Sequence, residues 1–268
     1  MFSRLQKGGE KMKFTTGIDN ETNFVNALDG KLFKELNRNL QFFLLYLFPN
    51  MDKSMKFHCY KTENFIKPDI VIYQGQEYRY VSLKYGSADT LHNENIRTFI
   101  QFLRECGISK ETLKTYLLYH YGDGTLNGTG QRRMNSVTVR YMYETQIKKM
   151  NEEFNQSKDF IKKVAERVMA QGVNLQAAEA QYIYHGDPEG GTFISIDSFM
   201  KHVDKKDWHY MEKCVHIGPF VLRPHARYAG KKIENEDRRN TVTVTYSNFV
   251  NEMIYIQSHY DFTYERKK

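Results

Sequence analysis

The sequence predicts an α/β protein in which a mixed β-sheet is flanked by helices. Three observations support this: a β-hairpin pattern at residues 67–86, amphipathic helical patterns on both sides of it, and 40% hydrophobic residues in a chain of 268. A chain of this length folds as one large domain or two small ones. The longest apolar run, residues 40–48, is interrupted by Gln41 and is too short to cross a bilayer.

The first predicted element is a helix at residues 20–29. Glu21 shares one face of this helix with the apolar residues three, four and seven positions later, which are Phe24, Val25 and Leu28. Glu21 should therefore point toward the core, where a carboxylate is costly unless it is paired or bound to a metal. The alternative is a solvated glutamate in a frayed first turn.

Two further elements are predicted before the hairpin. Residues 31–48 carry an apolar stripe at helical spacing and lie between Gly30 and Pro49, which are typical helix breakers. Residues 56–60 are predicted to form a short strand.

The hairpin at 67–86 consists of two runs rich in β-branched and aromatic residues around a turn at Gly75. A turn centred between Gln76 and Glu77 would place Asp69 opposite Lys84. Ser82 and Lys84 share one face, because side chains alternate along a strand. A carboxylate and an ammonium at the mouth of a hairpin can hold a divalent metal and position a water.

A helix is predicted to follow from about Thr90. Its buried stripe consists of Ile96, Phe99, Ile100 and Leu103. Glu94 lies off this stripe, in the turns nearest to Lys84. That position suits a metal ligand in a cleft, and it equally suits an exposed surface glutamate.

The middle of the chain is predicted to contain a third core strand at 113–121 and a glycine-rich loop that ends at Arg132 and Arg133. This loop lacks the Gly-Lys-Ser/Thr ending of a phosphate-binding loop, but its two arginines can contact phosphates. A long polar helix at 143–171 would then cross between two lobes or form a dimer face.

The C-terminal region, from residue 180, is predicted to be rich in short strands. These strands are 181–184, 193–196, 215–223 and 240–246. A basic stretch interleaved with Tyr228 lies between the last two. Its cations are Arg223, Arg227, Lys231, Lys232, Arg238 and Arg239. Such a hairpin loop can contact a nucleic-acid duplex, and an ordinary solvated loop is the alternative.

Composition narrows the classes of function. A net charge of +7 and a pI near 9.0 suit a polyanionic partner. The three cysteines are far apart and form no CxxC pair, and the nine histidines form no HExxH motif. A serine-hydrolase Gly-x-Ser-x-Gly elbow is also missing. No secretory signal pattern opens the sequence, so we expect a cytoplasmic protein without membrane spans.

Pro68-Asp69 on one strand and Ser82-x-Lys84 on the next resemble the signature of the PD-(D/E)xK nucleases, the restriction-endonuclease-like superfamily. The acid position departs from the signature, because Ser82 stands there. Some restriction endonucleases of this superfamily share the Ser-x-Lys variant and recover the carboxylate from the following helix. In this sequence Glu94 suits that role. The family also often carries a glutamate on an early helix, which corresponds to Glu21.

The resemblance implies an active site of five residues, which are Asp69, Lys84, Glu94, Glu21 and Ser82. Asp69 would hold Mg²⁺, with Mn²⁺ as a substitute, and Lys84 would orient the attacking water and stabilise negative charge. Glu94 and Glu21 would act as further metal ligands and replace the acid that is missing at Ser82.

The resemblance also implies a fold and a function. The fold would be a restriction-endonuclease-like core at 14–130, a helical linker at 131–179 and a β-rich C-terminal lobe at 180–268. The function would be metal-dependent hydrolysis of double-stranded DNA by a homodimer, as in a type II restriction or phage-defence nuclease. One alternative is a nucleic-acid-binding protein with a decayed site, in which Ser82 marks a lost acid. Another is an interaction protein whose charge is incidental, and RNA or single-stranded DNA remains open as a substrate.

Overall fold

The structure is a computed structural model that describes residues 17–63, 66–86, 89–130, 133–208, 214–225 and 236–261. Its helices are α1 (Gly17–Leu28), α2 (Arg38–Leu47), α3 (Ile96–Glu105), α4 (Lys110–Tyr121), α5 (Ser136–Met142), α6 (Glu144–Asn155), α7 (Lys158–Glu166), α8 (Ile196–Lys205), α9 (Glu236–Arg239) and α10 (Phe249–Ile256). Its strands are β1 (His58–Lys61), β2 (Ile70–Gln74), β3 (Glu77–Lys84), β4 (Thr90–Asn95), β5 (Tyr182–Asp187), β6 (Gly190–Ser195), β7 (His216–Ile217), β8 (Phe220–Pro224) and β9 (Thr241–Thr245).

The first sheet has five strands in the order β1-β2-β3-β5-β6. β3 and β5 run parallel and the other pairs run antiparallel, so the sheet is mixed. Helices α1 and α2 cover one face, where Phe24 and Phe43 pack with Ile70, Val81 and Tyr184. The predicted mixed sheet with flanking helices is confirmed.

The second sheet is antiparallel, in the order β4-β9-β8-β7. This sheet packs with several helices, including α3 and α4, in a large apolar core. Buried members of this core include Phe99, Tyr116 and Val242. Ile183 and Ile194 of the first sheet belong to the same core. The two sheets and these helices therefore share one hydrophobic core.

The sheets do not follow the predicted division of the chain at residues 130 and 180. β5 and β6, from the predicted C-terminal lobe, complete the first sheet. β4, from the predicted nuclease core, is the edge strand that joins β9 in the second sheet. Strand pairing over a long sequence separation therefore connects the predicted nuclease core with the predicted C-terminal lobe.

The predicted strand at 113–121 is wrong, because this segment is helix α4. Thr112 N donates to the Ser109 side chain at 3.2 Å, which caps the start of the helix, and Gly122 ends it with a left-handed φ of 57°. The aromatic run resembles a strand, but short apolar runs do not distinguish a strand from a buried helix. The two caps decide the structure here.

The predicted helix from Thr90 begins six residues later, at Ile96. Asn95 caps it by accepting a hydrogen bond from Arg97 N at 2.9 Å. The preceding residues, including Glu94, pair with β9 instead. The predicted apolar stripe of α3 is confirmed, since all four of its members are buried.

Two other predicted helices are shorter than expected. In the segment 31–48, the helix begins after Asn37, whose side chain accepts from Leu40 N at 2.8 Å. In the segment 143–171, Ser157 caps a new helix, so α6 and α7 are separate and a π-helical turn (Arg167–Gln171) follows. Side-chain capping within a polar sequence explains both breaks. Within the described part of the chain, no helix is long and apolar enough to cross a membrane.

Candidate active site

The hairpin register differs from the predicted one. Ile70 pairs with Val81, and Asp69 N donates to Val81 O at 2.9 Å. Continued by one residue, this register places Asp69 opposite Ser82, so the predicted opposition of Asp69 and Lys84 is wrong. The turn falls one residue earlier than expected, because Gly75 adopts a left-handed φ of 59° that glycine tolerates without strain.

Asp69, Ser82 and Lys84 nevertheless form one hydrogen-bonded group. Asp69 Oδ2 accepts from Ser82 Oγ at 3.0 Å and from Leu83 N at 2.5 Å. Lys84 Nζ donates to Ser82 Oγ at 2.9 Å and to Leu83 O at 3.2 Å, and lies 3.9 Å from Asp69 Oδ2. The serine hydroxyl therefore connects the ammonium to the carboxylate. We call Asp69, Ser82 and Lys84 the open group, because the two charged side chains are 24% and 19% exposed.

The open group lies on the face of the first sheet that α1 and α2 do not cover. Val81 and Leu83 pack with those helices, so the alternating Ser82 and Lys84 point the other way. His185 on β5 is the parallel-strand partner of Lys84. Burial lowers the pKa of His185, and the positive charge of Lys84 acts in the same direction.

Glu94 lies on strand β4 and is a member of a second ionic group. Its Oε2 is 3.0 Å from Arg167 Nε and 2.7 Å from His92 Nε2, and its Oε1 accepts from Arg167 Nη2 at 3.1 Å. The side chains of Glu94, Arg167 and His92 are 0%, 5% and 8% exposed. We call these three residues the closed group. A carboxylate with both oxygens bonded in this way does not fit a metal ligand.

Lys67 is close enough to both groups to interact electrostatically with Lys84, Asp69 and Glu94. It is buried, and its Nζ donates to Leu91 O at 3.3 Å. Burial holds the pKa of Lys67 well below its usual range; nearby Lys84 acts in the same direction, while Asp69 and Glu94 oppose the shift. No sequence pattern singles out Lys67, although it immediately precedes the Pro-Asp pair. A lysine next to a motif carries no sequence signal of burial.

Glu21 does not join the open group. Its Oε2 is 2.9 Å from Lys61 Nζ, in a partly exposed ion pair. Lys61 pairs with Ile70 across β1 and β2, and Ile70 packs on the face covered by α1 and α2. The ion pair of Glu21 therefore lies at the edge of one face of the first sheet, and Asp69 lies on the opposite face. The expected inward glutamate is replaced by Asn20, which is buried and donates to Gly186 O at 2.9 Å.

The open group can supply one carboxylate to a metal. In the described ranges, no three His, Cys, Asp or Glu side chains cluster closely enough to hold a metal ion. Mg²⁺ commonly uses only one or two protein carboxylates and keeps waters and substrate phosphates as its other ligands. Every hydrogen bond described for the Asp69 carboxylate uses Oδ2. The donor set therefore fits a single-carboxylate Mg²⁺ site at Asp69, without Glu94 or Glu21.

Arg133, predicted to contact nucleic acid, is bonded within the protein. Its guanidinium donates to the carbonyls of Tyr119, His120 and Met134 at 3.3, 3.3 and 3.0 Å. Burial lowers the pKa of Arg133. These bonds fasten the end of the glycine-rich loop to the C-terminus of α4, which is a structural role.

The other arginines and lysines that were predicted to contact nucleic acid divide into three sets by their position in the structure. Arg239 forms an ion pair with Asp123 and donates to Gly130 O, so it fastens the same glycine-rich loop. Arg223 lines a cavity beside β8, and Arg238 is exposed on α9. Arg132, Arg227, Lys231 and Lys232 lie outside the described residues.

A solved structure has a similar fold. The fold is similar to that of restriction endonuclease MspI in complex with its cognate DNA, with a TM-score of 0.46 and 12% sequence identity over 85% of this chain and 90% of that chain. No protein-family model matches the sequence, and no curated protein matches it.

Proposed function

We propose that this protein is a metal-dependent DNA endonuclease of the restriction-endonuclease-like type, with the open group as its active site. The observation that carries the proposal is the hydrogen-bonded chain from Lys84 through Ser82 to Asp69. These are the residues that resemble the PD-(D/E)xK signature, and folding brings them to one partly exposed site. The net charge of +7 suits a DNA substrate.

The residues of the open group divide the work of phosphodiester hydrolysis. Lys84 Nζ is fixed by Ser82 Oγ and Leu83 O, so its positive charge is held in one place without side-chain reorganisation. In that place the ammonium can orient a water and stabilise the negative charge that builds on the phosphate. Leu83 N and Ser82 Oγ hold the Asp69 carboxylate from one side.

Asp69 would hold Mg²⁺ or Mn²⁺, which when bound supplies Lewis-acid polarisation of a phosphate oxygen. Ser82 takes the place of the acid in the signature, and its role here is to bridge the lysine and the aspartate. We further propose that the substrate is double-stranded DNA and that the protein acts as a homodimer, because cutting both strands of a symmetric site favours two-fold symmetry.

The test is cleavage of a panel of plasmid and phage DNA with Mg²⁺, Mn²⁺ or EDTA. We expect discrete fragments with either metal and none with EDTA, and loss of the fragments in Asp69→Ala and Lys84→Ala. Arg104→Ala, at an exposed position at the end of α3, is the matched control and should cut as the wild type does. Fragments that persist in both active-site variants would rule out the proposed site.

A DNA-binding protein with a decayed site is the second candidate. Two observations favour it: Ser82 stands where the signature has an acid, and no cluster of three metal-binding side chains is found in the described residues. This candidate predicts tight, salt-sensitive DNA binding without cleavage in any metal. Binding measured at low and high salt beside the cleavage panel separates the two.

A further inference from the structure

A cavity of about 280 Å³ is lined by residues of helices α4 and α5 and strand β8, and no residue of the open group lines it. Its polar lining consists of Tyr119, Ser136, Arg140, Cys214 and Arg223. Among the described residues, no acidic side chain lines it. Two guanidiniums, two hydroxyls and a thiol therefore belong to the residues that line this space.

A third arginine reinforces this positive charge. Arg133 Nη1 lies 3.4 Å from Ser136 Oγ, at the wall of the cavity. Burial raises the pKa of Tyr119, while Arg133, Arg140 and Arg223 all act to lower it. All three guanidiniums are thus close enough to the Tyr119 hydroxyl to act on it electrostatically.

The rim of the cavity carries exposed apolar side chains on α5. Ser136 and Arg140 are one helical turn apart and face the cavity, and Val137 and Tyr141 form the adjacent stripe. Val137 and Tyr141 are 68% and 82% exposed. An exposed tyrosine beside clustered arginines provides a stacking surface for a base next to a place for its phosphate.

We propose that this cavity is a binding site for a phosphate group, with Arg140, Arg223 and Ser136 as the binding residues. Arginine guanidiniums match phosphate oxygens in bidentate geometry, and a cavity that admits water-sized molecules throughout ~280 Å³ has room for one phosphate and several waters. The phosphate can belong to a DNA backbone or to a free phosphate, and the experiment distinguishes these sources. The site does not depend on the proposed cleavage activity.

The experiment uses Cys214 as a reporter inside the cavity. The intact protein is alkylated with iodoacetamide in EDTA at constant ionic strength, with inorganic phosphate in one arm, a short DNA duplex in a second and chloride alone in a third. Peptide mass spectrometry gives the alkylation rates of Cys214 and of Cys106, a half-exposed thiol that does not line the cavity. EDTA prevents cleavage, so failure of the proposed nuclease activity would not affect the result.

We expect phosphate, DNA or both to protect Cys214 and to leave Cys106 unchanged. Protection by phosphate and DNA together identifies a general phosphate site, protection by DNA alone a backbone contact, and protection by phosphate alone a free-phosphate site. Arg140→Gln and Arg223→Gln should each weaken protection about tenfold or more, since each loses a charge-assisted hydrogen bond. Arg104→Gln should not weaken it.

Two results would overturn the site: no protection of Cys214 by either ligand, or equal protection in wild type and in both arginine variants. Ser136→Ala serves as a second variant if an arginine variant fails to fold, because Ser136 is exposed and its replacement removes only a hydroxyl. Circular dichroism of each variant confirms folding before alkylation.

Discussion

The open group and the closed group contain similar side chains but differ in burial and in bonding. In the open group the Lys84 ammonium lies 3.9 Å from the Asp69 carboxylate, and a hydroxyl bridges them. In the closed group Arg167 binds Glu94 through two hydrogen bonds, and His92 contacts the same carboxylate. The difference indicates that the open group is available for a ligand, while both carboxylate oxygens of the closed group are already bonded within the protein.

Burial also separates the two groups energetically. Partly exposed ion pairs contribute about 0–1 kcal/mol to stability, because water screens them. Removing one partner of a buried pair costs about 3–5 kcal/mol, because the other charge is left uncompensated. The closed group should therefore matter for folding, and the open group for chemistry.

The largest effect is expected from Arg167→Ala. This change leaves the buried Glu94 carboxylate without its guanidinium and should lower the free energy of unfolding by about 3–5 kcal/mol. Urea denaturation at pH 7.5 measures it. The control is Arg104→Ala on the exposed surface, which should change stability by less than ~0.5 kcal/mol. A loss below 1 kcal/mol for Arg167→Ala would remove the energetic distinction between the groups.

The next effect concerns Lys84. Removing its charge with Lys84→Ala should slow DNA cleavage by about 10²–10³-fold, as is typical for loss of one fixed charge-stabilising group. Single-turnover cleavage at saturating Mg²⁺ measures the rate. The free energy of unfolding of Lys84→Ala should remain within ~1 kcal/mol of the wild-type value. A folded variant that cuts at the wild-type rate would contradict the role of the open group.

The third prediction concerns His120, which should make the free energy of unfolding depend on pH by about 3 kcal/mol. Burial lowers the pKa of His120 to about 4, and its Nε2 lies 3.0 Å from the Arg239 carbonyl. The folded state therefore keeps the ring neutral, while the unfolded chain protonates it near pH 6.5. Stability is full above about pH 6.5 and falls as the pH drops toward 4, by up to ~3 kcal/mol from this residue.

Replacement of this histidine isolates its contribution. His120→Gln should flatten the dependence of the unfolding free energy on pH between about 6.5 and 4. The comparison requires denaturation curves for both proteins at several pH values across that window. Parallel pH profiles for the two proteins would show that the acid sensitivity arises elsewhere.

The smallest effect is expected for Glu21. Its ion pair with Lys61 is partly exposed, so Glu21→Gln should change stability by less than ~1 kcal/mol. It should also leave cleavage unchanged, because the pair lies on the face opposite to Asp69. A large loss of cleavage with intact folding would restore Glu21 to the active site and extend the open group.

The sequence predicted the parts of the fold that local patterns specify. The hairpin, α1 and the apolar stripe of α3 follow from spacing and turn residues, and the residues of the open group follow from a short motif. The register of the hairpin could not be predicted from the sequence pattern. Moving the turn at Gly75 by one residue leaves the same residues in both strands. The role of Glu94 was also missed, because its partner Arg167 is 73 residues away. Pairing over such a separation is decided by tertiary packing.

The most direct test compares Asp69→Asn with Glu94→Gln by two measurements on each protein, the unfolding free energy and the single-turnover rate of DNA cleavage per folded molecule. We predict that Asp69→Asn loses cleavage by at least about 10²-fold and keeps its stability within ~1 kcal/mol. Glu94→Gln should lose about 3–5 kcal/mol of stability and cut at the wild-type rate once folded. The reverse pattern, in which folded Glu94→Gln is inactive and Asp69→Asn remains active, would contradict the assignment of chemistry to the open group.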